Sequence, residues 1–155
     1  MTLIQAVLAA WFLTAPDGGA DPPRVWVNPD RCTPNVQLQA LGSVSSAPRD
    51  WQVLHYHFRK FGQCDVGAVA EGYSHGVVTL LAYSWQQLAQ LATVGRGDPT
   101  FLQFVLAHID ATTADEDLRQ VQVNVATACP ARHRELCNRV GEQAKAALDD
   151  HSSRH

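Results

Sequence analysis

Apolar positions along the chain take up a regular period at residue 50. Trp51, Leu54, Phe58 and Phe61 fall at i, i+3, i+7 and i+10, which predicts a first helix that Gly62 ends. A longer stretch places Val66, Val69, Tyr73, Val77, Leu80, Leu81, Leu88 and Leu91 on one broad stripe, predicting a central helix stopped by Gly95 and Gly97. Asp98-Pro99 then supplies an N-cap and a proline at the first helical position, and Phe101, Leu102, Val105 and Ile109 give a third helix its inner face. Thr113-Ala114-Asp115-Glu116 has the spacing of a capping box. It predicts a fourth helix with Leu118, Val121 and Val125 inward, interrupted at Cys129-Pro130. A fifth helix follows from Leu136, Val140, Ala144 and Leu148, and the polar residues 149–155 are expected to fray.

Before residue 50 the pattern differs. Residues 21–48 hold five of the eight prolines (Pro22, Pro23, Pro29, Pro34 and Pro48) with Asn28, Gly42 and several serines, which predicts an extended arm with no sustained helical period. Residues 3–13, LIQAVLAAWFL, form an apolar run too short to span a membrane and of the length of a signal-peptide core. Pro16 and the residues 17–20, Asp-Gly-Gly-Ala, break any helix, and Gly18 and Ala20 put small residues where signal peptidase cuts. No Lys or Arg precedes Arg24, so the run lacks a charged leader. The organisation expected is a signal segment over 1–20, an arm over 21–48, a helical domain over 49–150 and a tail over 151–155.

With 155 residues the chain suffices for one domain with an adequate core, and no alternating strand pattern exceeds Val25-Trp26-Val27. The fold class expected is all-α, a small disulfide-stapled bundle of about five helices with an extended proline-rich N-terminal arm. Hydrophobic residues make up 46% and charged residues 17%, which excludes a disordered or coiled-coil chain. With 12 Lys and Arg against 15 Asp and Glu the net charge is −3, which argues against nucleic-acid binding through counterion release. Cys32, Cys64, Cys129 and Cys137 form an even set with no CxxC pair, so two disulfides and a periplasmic or secreted location are expected.

Three groups of residues invite a chemical reading. Gly72-Tyr73-Ser74-His75-Gly76 matches G-x-S-x-G, the elbow that lifts a nucleophilic serine above the sheet of an α/β-hydrolase. Its context is helical, so the hydrolase with Ser74 as nucleophile is the second reading. The first is that Gly72 and Gly76, with Tyr73 between them, present a face that another helix approaches closely. Cys129, His133 and Cys137 sit at i, i+4 and i+8, a spacing that could offer two thiolates and an imidazole to zinc. Pro130 interrupts that helix and no fourth ligand is evident, so disulfide cysteines are preferred and no metal or cofactor is expected. His55 and His57 point about 200° apart on a helix and suit one metal poorly.

A cysteine entering a helix, Cys64, is followed by Glu71-Gly72-Tyr73-x-x-Gly76-Val77, a short acid-capped helix, and Asp117-Leu118 leading into Cys129-Pro130. Over residues 64–148 this resembles the small exported helical proteins of proteobacteria, among them the HdeA/HdeB acid-stress chaperones and the Rap/Tai-type immunity proteins of type VI secretion. The resemblance implies a disulfide between Cys64 and Cys129, which leaves Cys32 for Cys137; the local alternative is Cys32–Cys64 with Cys129–Cys137. It also implies a periplasmic immunity or stress-protective factor that works without catalysis by binding another protein, a toxin or a client, or a second copy of itself. The chain departs from the chaperones in having only two lysines, Lys60 and Lys145.

Overall fold

A computed structural model describes residues 24–154. The expected signal segment, with Trp11, lies outside the described residues. The fold is all-α and held by two disulfides, as the pattern predicts, with seven α-helices among the described residues. These are α1 (Pro34–Val44), α2 (Trp51–Phe61), α3 (Ala68–Tyr83), α4 (Leu88–Gly97), α5 (Pro99–Ala107), α6 (Asp115–Ala128) and α7 (Arg134–Ser153).

Helix α2 begins where Asp50 accepts from the N–H groups of Gln52 (3.0 Å) and Val53 (2.9 Å), and it buries the four residues of its stripe, Trp51, Leu54, Phe58 and Phe61. The cap expected at Asp98 also forms: its carboxylate accepts from Phe101 N–H at 3.2 Å, with Pro99 in the first turn of α5. Phe58, Tyr73, Phe101 and Phe104 make the centre of the core, with ring centroids 4.7 Å apart for Phe58 and Phe104 and 4.9 Å for Tyr73 and Phe104. Helices α6 and α7 run in opposite directions. Asp115 meets His151 at one end, Gln122 donates to the Gly141 carbonyl midway, and Cys129 is bonded to Cys137 at the other.

Four expectations need correction. The arm is not extended throughout, because Pro34–Val44 is helical; Pro34 opens it, and Val36, Ala40, Leu41 and Val44 turn one face to the core. The central helix is broken at Ser84 (φ −129°, ψ 35°), after which a 3₁₀ turn, Trp85–Gln87, redirects the chain into α4. The Thr113 capping box is not made: the Thr113 hydroxyl donates to the Asp110 carbonyl at 2.9 Å, and α6 starts from Ala114 without a side-chain cap. The tail remains helical to Ser153, because His151 is held by Asp115 and by the Ala111 carbonyl.

The disulfides are Cys32–Cys64 and Cys129–Cys137. The pairing implied by the resemblance, Cys64–Cys129 with Cys32–Cys137, is therefore overturned. Cys32 follows the turn Pro29–Arg31 and Cys64 ends the turn Gly62–Cys64, and Asn28 N–H donates to the Gln63 carbonyl at 3.1 Å, so these segments are already neighbours.

Candidate functional site

The G-x-S-x-G segment lies within α3, with no strand before it and no turn at the serine. Its glycines face the N-terminal part of the chain. A Cβ on Gly72 would come within 2.5 Å of Val44 Cγ2, and one on Gly76 within 2.9 Å of Pro48 Cδ. Tyr73 is buried between them, and its hydroxyl donates to the His57 carbonyl at 3.3 Å. Burial, and then the charge of Asp65, push this phenol well above its usual pKa.

Ser74 is also buried and points toward the C-terminal end of α5. Its Oγ lies 2.9 Å from His108 Nδ1, and the far nitrogen of the same ring, Nε2, lies 3.0 Å from Asp65 Oδ2. The residues come from three places in the chain. Asp65 follows the 3₁₀ turn that the Cys32–Cys64 bridge fixes, and Gly67 (φ +53°) then turns the backbone into α3, a conformation that a residue with a Cβ would adopt only with strain. His108, at the end of α5, continues its Phe101, Phe104, Val105 face and lies with its ring centroid 4.4 Å from that of Phe104, tilted by 56°. The hydrolase sequence motif therefore does sit in a Ser–His–carboxylate chain, which no spacing in the sequence announces.

The surroundings of that chain are those of a buried ionic network. Asp65 Oδ2 also accepts from Trp26 Nε1 (2.7 Å) and Arg24 Nη1 (3.1 Å), and Ser74 Oγ lies 2.8 Å from Asp110 Oδ2. The Ser74 hydroxyl has one proton and faces both His108 Nδ1 and Asp110. The Asp65 and Asp110 carboxylates and the Arg24 guanidinium thus surround the Ser74–His108 pair. His75 and Gly76, the next residues of α3, spend their N–H groups inside the helix and leave no oxyanion donor there. His108 and Ser74 are 0% and 1% exposed.

Burial by itself would raise the Asp65 carboxyl, but the His108 contact, followed by Trp26 and Arg24, holds it below the ordinary carboxylate pKa. Its other oxygen, Oδ1, is buried without a protein partner. Asp98 is lowered in the same way: burial opposes the shift, while His55 at 3.0 Å and the cap bond from Phe101 favour it.

The remaining candidates separate. The sulfurs of Cys129 and Cys137 are bonded to each other, so the zinc reading of Cys129, His133 and Cys137 is overturned. His55 pairs with Asp98 whereas the His57 ring is only half-buried beside Tyr56, so the two do not converge. Among the described residues no group of three or more His, Cys, Asp or Glu is placed to hold a metal.

Arg24, Val25 and Trp26 also divide two open pockets. One, of about 470 Å³, lies between residues 25–31, the end of α2 and Asp98; the other, of about 790 Å³, lies between residues 24–26, the end of α5 and α7. Val25 stands between them and is 69% exposed. No protein-family model, curated protein or solved structure matches the chain.

Proposed function

We propose that this is an exported, disulfide-stapled helical protein that works without catalysis, by contact with another protein, as a periplasmic immunity or stress-protective factor. The observation that carries the reading is the contrast between a sealed Ser74–His108–Asp65 network and the open surface beside it, where Val25 projects between two pockets. Buried, doubly paired polar groups hold a fold together, whereas exposed apolar side chains flanked by concavities are what a partner covers. Both cysteine pairs are closed, which fits an oxidising compartment, and no described helix is long and apolar enough to cross a membrane.

The test is photo-crosslinking from position 25 of the oxidised chain in envelope extract of the source cells. A single toxic enzyme that loses activity in the complex supports immunity. A varied set of clients, captured only after acidification and accompanied by reversible binding of a dye for apolar surface, supports stress protection. Recovery of no adduct over the neutral and acid range overturns the binding reading. A serine hydrolase using Ser74 is the second reading, favoured only by the Ser74–His108 contact, and stoichiometric labelling of Ser74 by a fluorophosphonate would establish it.

A further inference from the structure

The two pockets beside Val25 share a charge pattern that the whole chain does not have. Arg31, Arg59 and Lys60 line the first and Arg24, Arg139 and Arg154 the second, which together are six of the chain's 12 Lys and Arg in a protein of net charge −3. Only three carboxylates line the pockets, Asp98, Asp110 and Asp150, and each is engaged within the chain. Asp98 holds His55 and the start of α5, Asp110 holds Ser74 and the Thr112 N–H, and Asp150 pairs with Arg154. Arg31, Lys60 and Arg139, by contrast, have no carboxylate partner among the described residues. The apolar floor, Trp26 and Phe58 on one side and Leu106, Ile109 and Ala147 on the other, lies between these cations.

We infer that the paired pockets form one docking site for an acidic, extended segment of a partner protein, which crosses Val25 and places carboxylates against Arg31 and Lys60 on one side and Arg139 on the other. This deepens the protein-binding reading and rests on it. Uncompensated cations around an apolar floor attract carboxylates from a distance and keep them at the rim, while the floor takes the apolar side chains between them. Acidic residues are the complement because the guanidinium of Arg139 presents paired donors that match a carboxylate.

The experiment titrates the full oxidised chain with hexaglutamate, with hexaglutamine as the neutral control, and follows backbone amide shifts. Hexaglutamate is expected to move the amides of residues 25–28, Asp30, Arg31, Gly62 and Gln63, together with those lining the second pocket. Each of Arg31→Glu, Lys60→Glu and Arg139→Glu should weaken its binding by about tenfold, and added salt should weaken it for every chain. Circular dichroism of each variant shows that the fold is kept, since all three side chains lie outside the buried network. Equal binding of hexaglutamine, or no effect of the charge reversals, overturns the inference. So does a stronger, pocket-centred response to phosphatidylglycerol vesicles or to a single-stranded oligonucleotide than to hexaglutamate. A protein crosslinked from position 25 equally well in the parent and in the triple variant overturns this site and leaves the binding reading intact. Hexaglutamate binding at both pockets with no protein adduct leaves an anion site there but overturns its assignment to a partner protein.

Discussion

Ser74 Oγ lies 2.9 Å from His108 Nδ1 with both side chains buried, so a single hydrogen bond ties α3 to the end of α5. The consequence for mutation is the reverse of what an idle motif would give. Ser74→Ala strips a partner from both His108 and Asp110, and unmade buried hydrogen bonds cost about 1–3 kcal/mol. The denaturant midpoint of Ser74→Ala should fall accordingly, while a fluorophosphonate probe leaves the parent unlabelled. An unchanged midpoint would show that the network bears no stability.

Asp65 makes that network sensitive to acid. Its carboxyl is lower in the folded chain than in the unfolded one. Its contribution is therefore complete above the unfolded carboxylate pKa of about 3.9, and it is lost as pH falls through that value and on through the lower folded one. Asp65→Asn leaves His108 and Arg24 facing a neutral amide, and breaking a buried ion pair in this way costs about 3–5 kcal/mol at neutral pH. Urea midpoints recorded from pH 7 downward should show the gap between parent and variant closing in acid. A gap that stays constant would remove Asp65 from the acid response.

The parts of this fold legible in the sequence are those set by neighbours in the chain. Asp98 caps the helix that follows it because its acceptor needs only the next turn, and the stripe of α2 needs only local spacing. Helix α1 was hidden by prolines, although Val36, Ala40 and Val44 already recur every four residues. The break at Ser84 was hidden because Leu88 and Leu91 keep the period across it. The network was hidden for a stronger reason: Asp65 and His108 are 43 positions apart and meet only in the folded chain. Its traces were Ser74, within G-x-S-x-G, and His108, seven residues after Phe101.

The disulfides make separable contributions. Peptide mapping of the unreduced chain should recover Cys32 linked to Cys64 and Cys129 linked to Cys137; recovery of Cys64 with Cys129 would refute this connectivity. The bridges span 32 and 8 residues. On the chain-entropy account they contribute about 4 and about 2.5 kcal/mol respectively. The double serine variant at Cys32 and Cys64 should thus melt below the one at Cys129 and Cys137. It should also weaken the Trp26 and Arg24 contacts with Asp65, because the first bridge holds the turn from which Asp65 projects. Equal losses for the two variants would count against both effects.

Gly72 and Gly42 form a matched pair for testing how closely α1 rides on α3. Both lie in helices, where replacing glycine by alanine gains about 1 kcal/mol of helix propensity. At Gly42 a new Cβ meets nothing within 4 Å, so Gly42→Ala should raise the melting temperature. At Gly72 the Cβ would lie 2.5 Å from Val44 Cγ2, 2.7 Å from Val44 Cβ and 3.3 Å from the Val44 carbonyl oxygen. Val44 Cβ is fixed to the backbone and cannot swing aside, so α1 itself must move, and the strain of overpacking, about 1–3 kcal/mol, should exceed the propensity gain. Val44→Ala removes the methyl contact but neither Val44 Cβ nor the carbonyl. In the double variant Gly72→Ala/Val44→Ala the loss should therefore be smaller than the sum of the two single losses without disappearing, a coupling that a double-mutant cycle reads directly. Additive losses would mean that α1 yields at no cost and that the close approach at Gly72 contributes nothing to the fold.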